Sequence, residues 1–234
     1  KFVVPPHFLS AIDNKSFMLF DIETTGLSHS KSKVVLIGVI TYEKNILKFH
    51  QYFAENLSEE KLILLDTLKF FKDYDLYISF NGNSFDIPYL NARLKYHSID
   101  YEITKHYSFD LLRFSRKHLG KLNLENSKLK TIEKYLGISR EDTISGKESV
   151  ELYFQYLKTN SRALLEKILL HNEEDIIHMI PLLEITSPLD KRSLVGTLPS
   201  TLEFTASLEY GISKVNVSKD YVHITLDAIK YSNN

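Results

Sequence analysis

The segment FMLFDIETTGL, residues 17–27, sets four apolar residues ahead of two carboxylates one residue apart, Asp21 and Glu23, and then a Thr-Thr-Gly turn. Side chains of an extended chain alternate faces, so the two acids point the same way while Ile22 points back into the core. Two carboxylates held close together repel, one pKa is driven upward, and the simplest remedy is a cation between them. The pair alone is a weak signal, because solvated strand ends often carry acids. Asp86, in FNGNSFDIPYLNARL, is a third acid, and a carboxylate in the first turn of a helix can merely complement the helix dipole. If strands end at Phe20 and Phe80, however, the crevice beyond the strand ends of an α/β sheet collects Asp21, Glu23 and Asp86. HNEED adds His171 and Asp175 at i, i+4, on one helix face. Here a local reading competes: Asn172 as N-cap, Asp175 at N3, and Glu173 and Glu174 in the first turn. Capping accounts for Asn172, but not for an imidazole and a carboxylate pointing to one side.

Composition narrows the chemistry. The 234 residues contain no cysteine, which removes disulfides, thiolate zinc sites and cysteine nucleophiles, so any metal must be held by oxygen or imidazole ligands. Apolar residues make up 43% and charged residues 25%, the balance of a folded globular chain with one main core. No stretch approaches the roughly 20 apolar residues of a membrane span, and KFVVPPHFLS lacks a signal-peptide core, so no membrane role and a cytoplasmic location are expected. The first residue is Lys1 and not methionine, which leaves any upstream targeting segment outside the sequence.

The elements that must position these residues follow from periodicity. Phe17 to Phe20 reads as a central strand ending at the carboxylates. KVVLIGVITYEKNILKFHQYF reads as a hairpin turning at Glu43, Lys44 and Asn45. Ser58 is the expected cap of a helix with Glu59 and Glu60 in its first turn, and with Leu64, Leu65, Leu68 and Phe71 on its buried side. LYISF is a fourth strand. The following Asn81-Gly82 favours a hairpin, but Leu90 and Leu94 at i, i+4 and Pro88 in a first turn favour strand, turn and helix, which is the reading adopted. A helix is expected over about 127–136, ended by Gly137 in the left-handed region, and another over SRALLEKILLHNEEDIIHMIPLLE, broken or restarted near Asn172 and disturbed at Pro181. The order predicts an α/β fold: a mixed sheet with helices on both faces over 1–187, and a small β-rich C-terminal appendage over 188–234.

DIETTGL, FNGNSFDIPYLNARL and HNEED, in that order, resemble the three motifs of RNase H-like DEDD exonucleases. The second is similar to the matching segment of the proofreading domains of family B DNA polymerases, and the chain as a whole resembles stand-alone bacterial domains of the YprB type. The likeness runs from about Phe17 to Leu183. It implies a metal-dependent 3′ to 5′ exonuclease acting on single-stranded DNA or RNA ends. In that scheme Asp21, Glu23, Asp86 and Asp175 hold two Mg²⁺ or Mn²⁺ ions, which prefer oxygen ligands. It also implies that Thr24, Thr25 and Gly26 approach the terminal nucleotide, that Leu27 packs on bases, and that Asn81 and Phe85 line the cleft. One departure stands out. Histidine-type members carry their histidine five positions before the last aspartate and tyrosine-type members a tyrosine four before it, whereas His171 precedes Asp175 by four. Two roles for His171 stay open, general base and orienter of the nucleophile.

The net charge of −1 gives no global field for a polyanion, so nucleic-acid binding needs a local patch. Arg113, Arg116, Lys117, Lys121, Lys128, Lys130, Lys134 and Arg140 face only Glu125 and Glu133 in that stretch, a net +6. This run, with Lys128 and Lys130 foremost, is the expected phosphate-tracking surface, with Tyr135 or Phe114 for stacking; a solvated helical face is the plain alternative. Asp110 and His50, His97, His106, His118 and His178 show no ligand spacing. An endonuclease using the same site, or an inactive nucleic-acid-binding module, is the competing function.

Overall fold

A computed structural model describes residues 3–12, 15–43, 46–119, 124–186, 210–217 and 222–228. The elements, in chain order, are α1 (Pro6–Ala11), β1 (Phe17–Thr24), β2 (Val34–Glu43), β3 (Ile46–Phe53), α2 (Glu60–Asp73), β4 (Leu76–Ser79), α3 (Asp86–Tyr96), β5 (Ser108–Asp110), α4 (Leu111–Leu119), α5 (Leu129–Tyr135), α6 (Gly146–Thr159), α7 (Arg162–Ile177), α8 (Met179–Leu182), β6 (Tyr210–Val217) and β7 (Val222–Ala228). Five strands form one mixed sheet in the order β3-β2-β1-β4-β5, with β1–β2 and β2–β3 antiparallel and β1–β4 and β4–β5 parallel. The expected hairpin is therefore present, and the mixed sheet with it.

Alternation along β1 divides the core in two. Met18, Phe20 and Ile22 pack with Leu64, Leu68 and Phe71 of α2 and Ile87, Leu90 and Leu94 of α3. Phe17 and Leu19 face the other way, onto Phe8 of α1, Ile132 of α5, Ile176 of α7 and Met179 of α8. Asp21 and Glu23 continue the second series, so the acids belong to the α7 face of the sheet.

Several boundaries differ from the sequence reading, each for a local reason. β1 does not stop at Phe20: its pairing with β2 continues through Asp21↔Gly38 and Glu23↔Leu36, so the acids lie within the strand. On its other side β1 pairs with β4 only over Phe17–Leu19, leaving residues 20–24 with an open edge. Ser58 does not cap α2; its hydroxyl donates to Asn56 Oδ1, and Glu59 occupies the N-cap position. Leu65 is exposed, its expected place taken by Ile63 and Phe70. The strand, turn and helix reading of Asn81-Gly82 holds, with Asn81 at φ 73 and Asp86 opening α3. α7 runs unbroken through Asn172 and ends at Ile177, four residues before Pro181, the position whose ring would clash with that carbonyl. Gly137 is left-handed at φ 72, beyond the end of α5. β6 and β7 form an antiparallel hairpin within the expected β-rich extension; 187–209, 218–221 and 229–234, which hold the rest of that extension, lie outside the described residues.

Candidate metal centre

Three elements bring the acids together. β1 carries Asp21 and Glu23 on its α7 face, α7 brings His171, Asn172 and Asp175, and α3 starts beside the open edge of β1. There Asp86 Oδ1 accepts a hydrogen bond from the Ile22 amide at 3.2 Å. Close approach of α7 depends on Gly38, the β2 partner of Asp21. A Cβ at that position would lie 2.1 Å from Ile176 Cδ1 and 2.2 Å from Asn172 Oδ1. Asn172 is fully buried and fixed from both ends: its amide nitrogen donates to Asp21 Oδ2 at 3.0 Å, and its oxygen accepts from Gln51 Nε2 at 3.1 Å. The supposed helix cap is thus a clamp on a carboxylate.

His171 is buried, with Nδ1 2.8 Å from Asp142 Oδ2. Its Nε2 looks at two acids, 3.7 Å from Glu23 Oε1 and 3.9 Å from Asp175 Oδ2. Glu23 Oε2 accepts from the Ser149 hydroxyl of α6 at 3.0 Å. Asp175 Oδ1 is bonded to the Arg140 guanidinium. Ligand atoms of Glu23, His171 and Asp175 lie within 4.8 Å of one another.

The electrostatics of the acids are those of a site short of positive charge. Burial first, then Asp86, Asp175 and Glu23, pushes the Asp21 carboxyl well above its ordinary value. Burial lifts Glu23 to about 7 against the opposing pull of His171, and burial lifts Asp86 to about 7 despite the Ile22 amide. Several other acids have cations: Glu60 is paired with Arg93 at 2.6 Å, and Arg140 reaches Glu133, Asp142, Glu174 and Asp175. An oxygen-rich set that lacks compensating charge is what a divalent ion requires, so the residues fit such ions.

The family model of the RNase_H superfamily matches residues 18–187. The chain belongs to the RNase H superfamily. This RNase H-like chain is 29% identical over 184 residues to Uncharacterized protein YprB of Bacillus subtilis, covering 75% of the chain and 43% of that protein. It is 28% identical over 128 residues to DNA polymerase III PolC-type of Ureaplasma parvum, covering 45% of the chain and 9% of the polymerase. The family B DNA polymerase of the archaeon Pyrobaculum calidifontis matches in fold with a TM-score of 0.59 at 18% identity, over 74% of this chain and 25% of that one. The chain thus spans less than half the length of these relatives. Family and fold agree with the mixed sheet and its helices.

The other residues singled out by the motifs fall around the same end of the sheet. Thr24 and Thr25 shape the turn after β1: the Thr24 hydroxyl donates to the Gly26 carbonyl at 3.0 Å, and Thr25 Oγ1 accepts from the Lys33 amide at 2.9 Å. Tyr89 of the second motif donates its hydroxyl to that same Gly26 carbonyl at 2.9 Å, tying the two motifs together. Leu27 is 87% exposed at the tip. Asp110, set aside for want of spacing, accepts from the backbone amides of Asn81, Asn83 and Leu112 and so fixes the second motif's turn. Phe85 packs on Tyr89 with ring centroids 5.4 Å apart.

The basic run needs correction. Arg140 is not on a phosphate-tracking face; it is buried among acids. Phe114 is buried with its ring against Phe109, so it offers no stacking surface, whereas Tyr135 is exposed. Lys130 Nζ is held by Asp142 at 3.2 Å and the Ile144 carbonyl at 2.7 Å. Lys128 and Arg116 line a groove of about 440 Å³ together with Asn81 and Phe80. Lys121 lies outside the described residues. Gly38, Arg140 as a charge hub, Asp142 and Ser149 are not among the residues that the motifs single out. Only Ser149 had a signal, because Ser145 and Glu148 form a capping box that announces α6.

Proposed function

We propose that this chain is a divalent-metal-dependent nuclease that removes nucleotides from the 3′ ends of single-stranded nucleic acid, with 1–187 as the catalytic unit and 188–234 as a β-rich extension. One observation carries the reading: Asp21, Glu23 and Asp86 converge without an arginine or lysine of their own, Glu23 and Asp86 buried and Asp21 half-buried, beside His171 and Asp175. Asp21, Glu23, Asp86 and Asp175 would hold Mg²⁺ or Mn²⁺, two ions in all. Bound there, the ions supply charge neutralisation and Lewis-acid polarisation for hydrolysis of a phosphodiester.

The chain's own residues do the positioning. Asn172 and Ser149 each hold one carboxylate oxygen, of Asp21 and of Glu23, so those acids cannot swing apart. Thr24, Thr25 and Gly26 form a rigid turn at the crevice mouth, where a terminal nucleotide enters, and Leu27 presents an apolar tip to its base. Asn81 opens the groove along which Lys128 and Arg116 contact backbone phosphates. The test uses 5′-labelled single strands of matched DNA and RNA sequence, incubated with the protein in Mn²⁺ and in EDTA. Stepwise shortening from the 3′ end in Mn²⁺ alone supports the proposal, and the faster polymer names the substrate. Internal cuts assign an endonuclease, and binding without cleavage assigns an inactive module.

A further inference from the structure

At His171 each of three potential ligands has one coordinating atom already engaged and the other left facing the same point. Glu23 gives Oε2 to Ser149, His171 gives Nδ1 to Asp142, and Asp175 gives Oδ1 to Arg140. The remaining atoms, Oε1, Nε2 and Oδ2, converge: Nε2 is 3.7 Å from one oxygen and 3.9 Å from the other. Neither distance is a hydrogen bond. Asp142 is acceptor-only when ionised, and it is itself fixed by the Ile144 amide at 2.9 Å and by Lys130 at 3.2 Å. With Nδ1 directed at Asp142, Nε2 is the ring atom left to face Glu23 and Asp175, and in the neutral ring whose proton Asp142 holds it carries the lone pair. A carboxylate holding one nitrogen of a buried imidazole while the other points at acids is the arrangement that orients metal-binding histidines.

We propose that His171 is a metal ligand through Nε2, together with Glu23 Oε1 and Asp175 Oδ2, with Asp142 as the positioning residue that fixes the ring. This rests on the metal-dependent reading above and replaces both roles considered for His171, since a ligating Nε2 is neither a free base nor an orienter of water. It also assigns a selectivity. Mg²⁺ is bound chiefly through oxygen, while imidazole suits transition ions, so the site prefers Mn²⁺ over Mg²⁺.

The experiment uses the full chain stripped of metal and loaded with Mn²⁺ alone. Pulsed electron paramagnetic resonance reads nitrogen bound to the ion, in unlabelled protein and in protein grown with ¹⁵N-histidine. A ¹⁴N coupling that becomes a ¹⁵N coupling on labelling, and that disappears in His171→Asn, is the expected result. In Asp142→Asn, Mn²⁺ affinity falls about 10- to 100-fold, and Mg²⁺ affinity falls less. Bound Mn²⁺ without nitrogen coupling in the unmutated protein overturns the ligand assignment while the metal-dependent reading stands. Failure of Mn²⁺ to bind at all overturns both.

Discussion

Without divalent ions, the three cation-poor acids make the folded protein less stable as pH rises. Glu23 goes from an ordinary 4.5 to about 7, and Asp86 from 3.8 to about 7. A carboxyl whose folded pKa is raised keeps a proton that the unfolded chain has released. Its penalty is therefore absent below pH ~4, grows between ~4 and 7, and is complete above 7. At about 1.4 kcal/mol per pKa unit, either group alone costs about 3.5–4.5 kcal/mol at pH 8. The two interact with each other and with Asp21, so the figures do not add, but one alone is a large share of the usual ~5–15 kcal/mol. For a chain of this size that corresponds to roughly 7–18 °C in Tm. Thermal melts in EDTA from pH 5 to pH 8 should show a fall of that order, and saturating Mn²⁺ at pH 8 should restore most of it. Asp86→Asn should flatten the pH dependence of the metal-free protein. A Tm that is level from pH 5 to 8 and indifferent to Mn²⁺ would refute the reasoning, because the acids would then be solvated or already compensated.

Arg140→Gln strips the cation from Glu133, Asp142, Glu174 and Asp175, and urea unfolding should show a loss of about 3–5 kcal/mol; a change under 1 kcal/mol would mean that these acids are solvated. Gly38→Ala forces a methyl into Asn172 and Ile176, so it should destabilise by about 1–3 kcal/mol and lower nuclease turnover as Asn172 leaves Asp21; unchanged melting and turnover would show that α7 has room to yield. Lys128→Glu should weaken single-strand binding and reduce the salt slope of log K by about one, while Lys130→Glu, whose amine already serves Asp142, should chiefly lower Tm; equal binding losses would put both lysines on the strand.

How much of this was legible depended on whether the signal was local. Apolar periodicity is local, so β1, the β2–β3 hairpin, α3 and the left-handed Gly137 could be read directly. Motif spacing, with the resemblance it carries, located Asp21, Glu23, Asp86, His171 and Asp175. Asn172 misled because the residue type that caps a helix is also the type that clamps a carboxylate; only the depth of α7 against the sheet separates the two, and Gly38 on another strand sets that depth. Arg140 misled in the same way. A run of basic residues reads as one surface, yet the fold turns this arginine inward towards acids from α5, α7 and its own loop. Asp110 had no spacing to betray it, since its partners are backbone amides.

The buried acids thus divide by what neutralises them, which separates structure from chemistry more sharply than conspicuous sequence does. Glu60 has Arg93 and His97, and tied to the Val34 amide it locks α2, α3 and β2; burial pushes it up, but these partners hold it below the ordinary value. Glu133, Glu174 and Asp142 share Arg140, and Asp110 is wrapped by amides. Asp21, Glu23 and Asp86 accept hydrogen bonds from Asn172, Ser149 and the Ile22 amide, neutral donors that fix direction and add no net charge, and among the described residues His171 is the one basic side chain facing Glu23. Asp175 stands between the two sets, one oxygen on Arg140 and the other facing His171. Among the described residues the fold supplies arginines to Glu60, Glu133, Asp142 and Glu174, and it gathers Asp21, Glu23 and Asp86 at one place without one, which is the charge pattern that a divalent ion would balance.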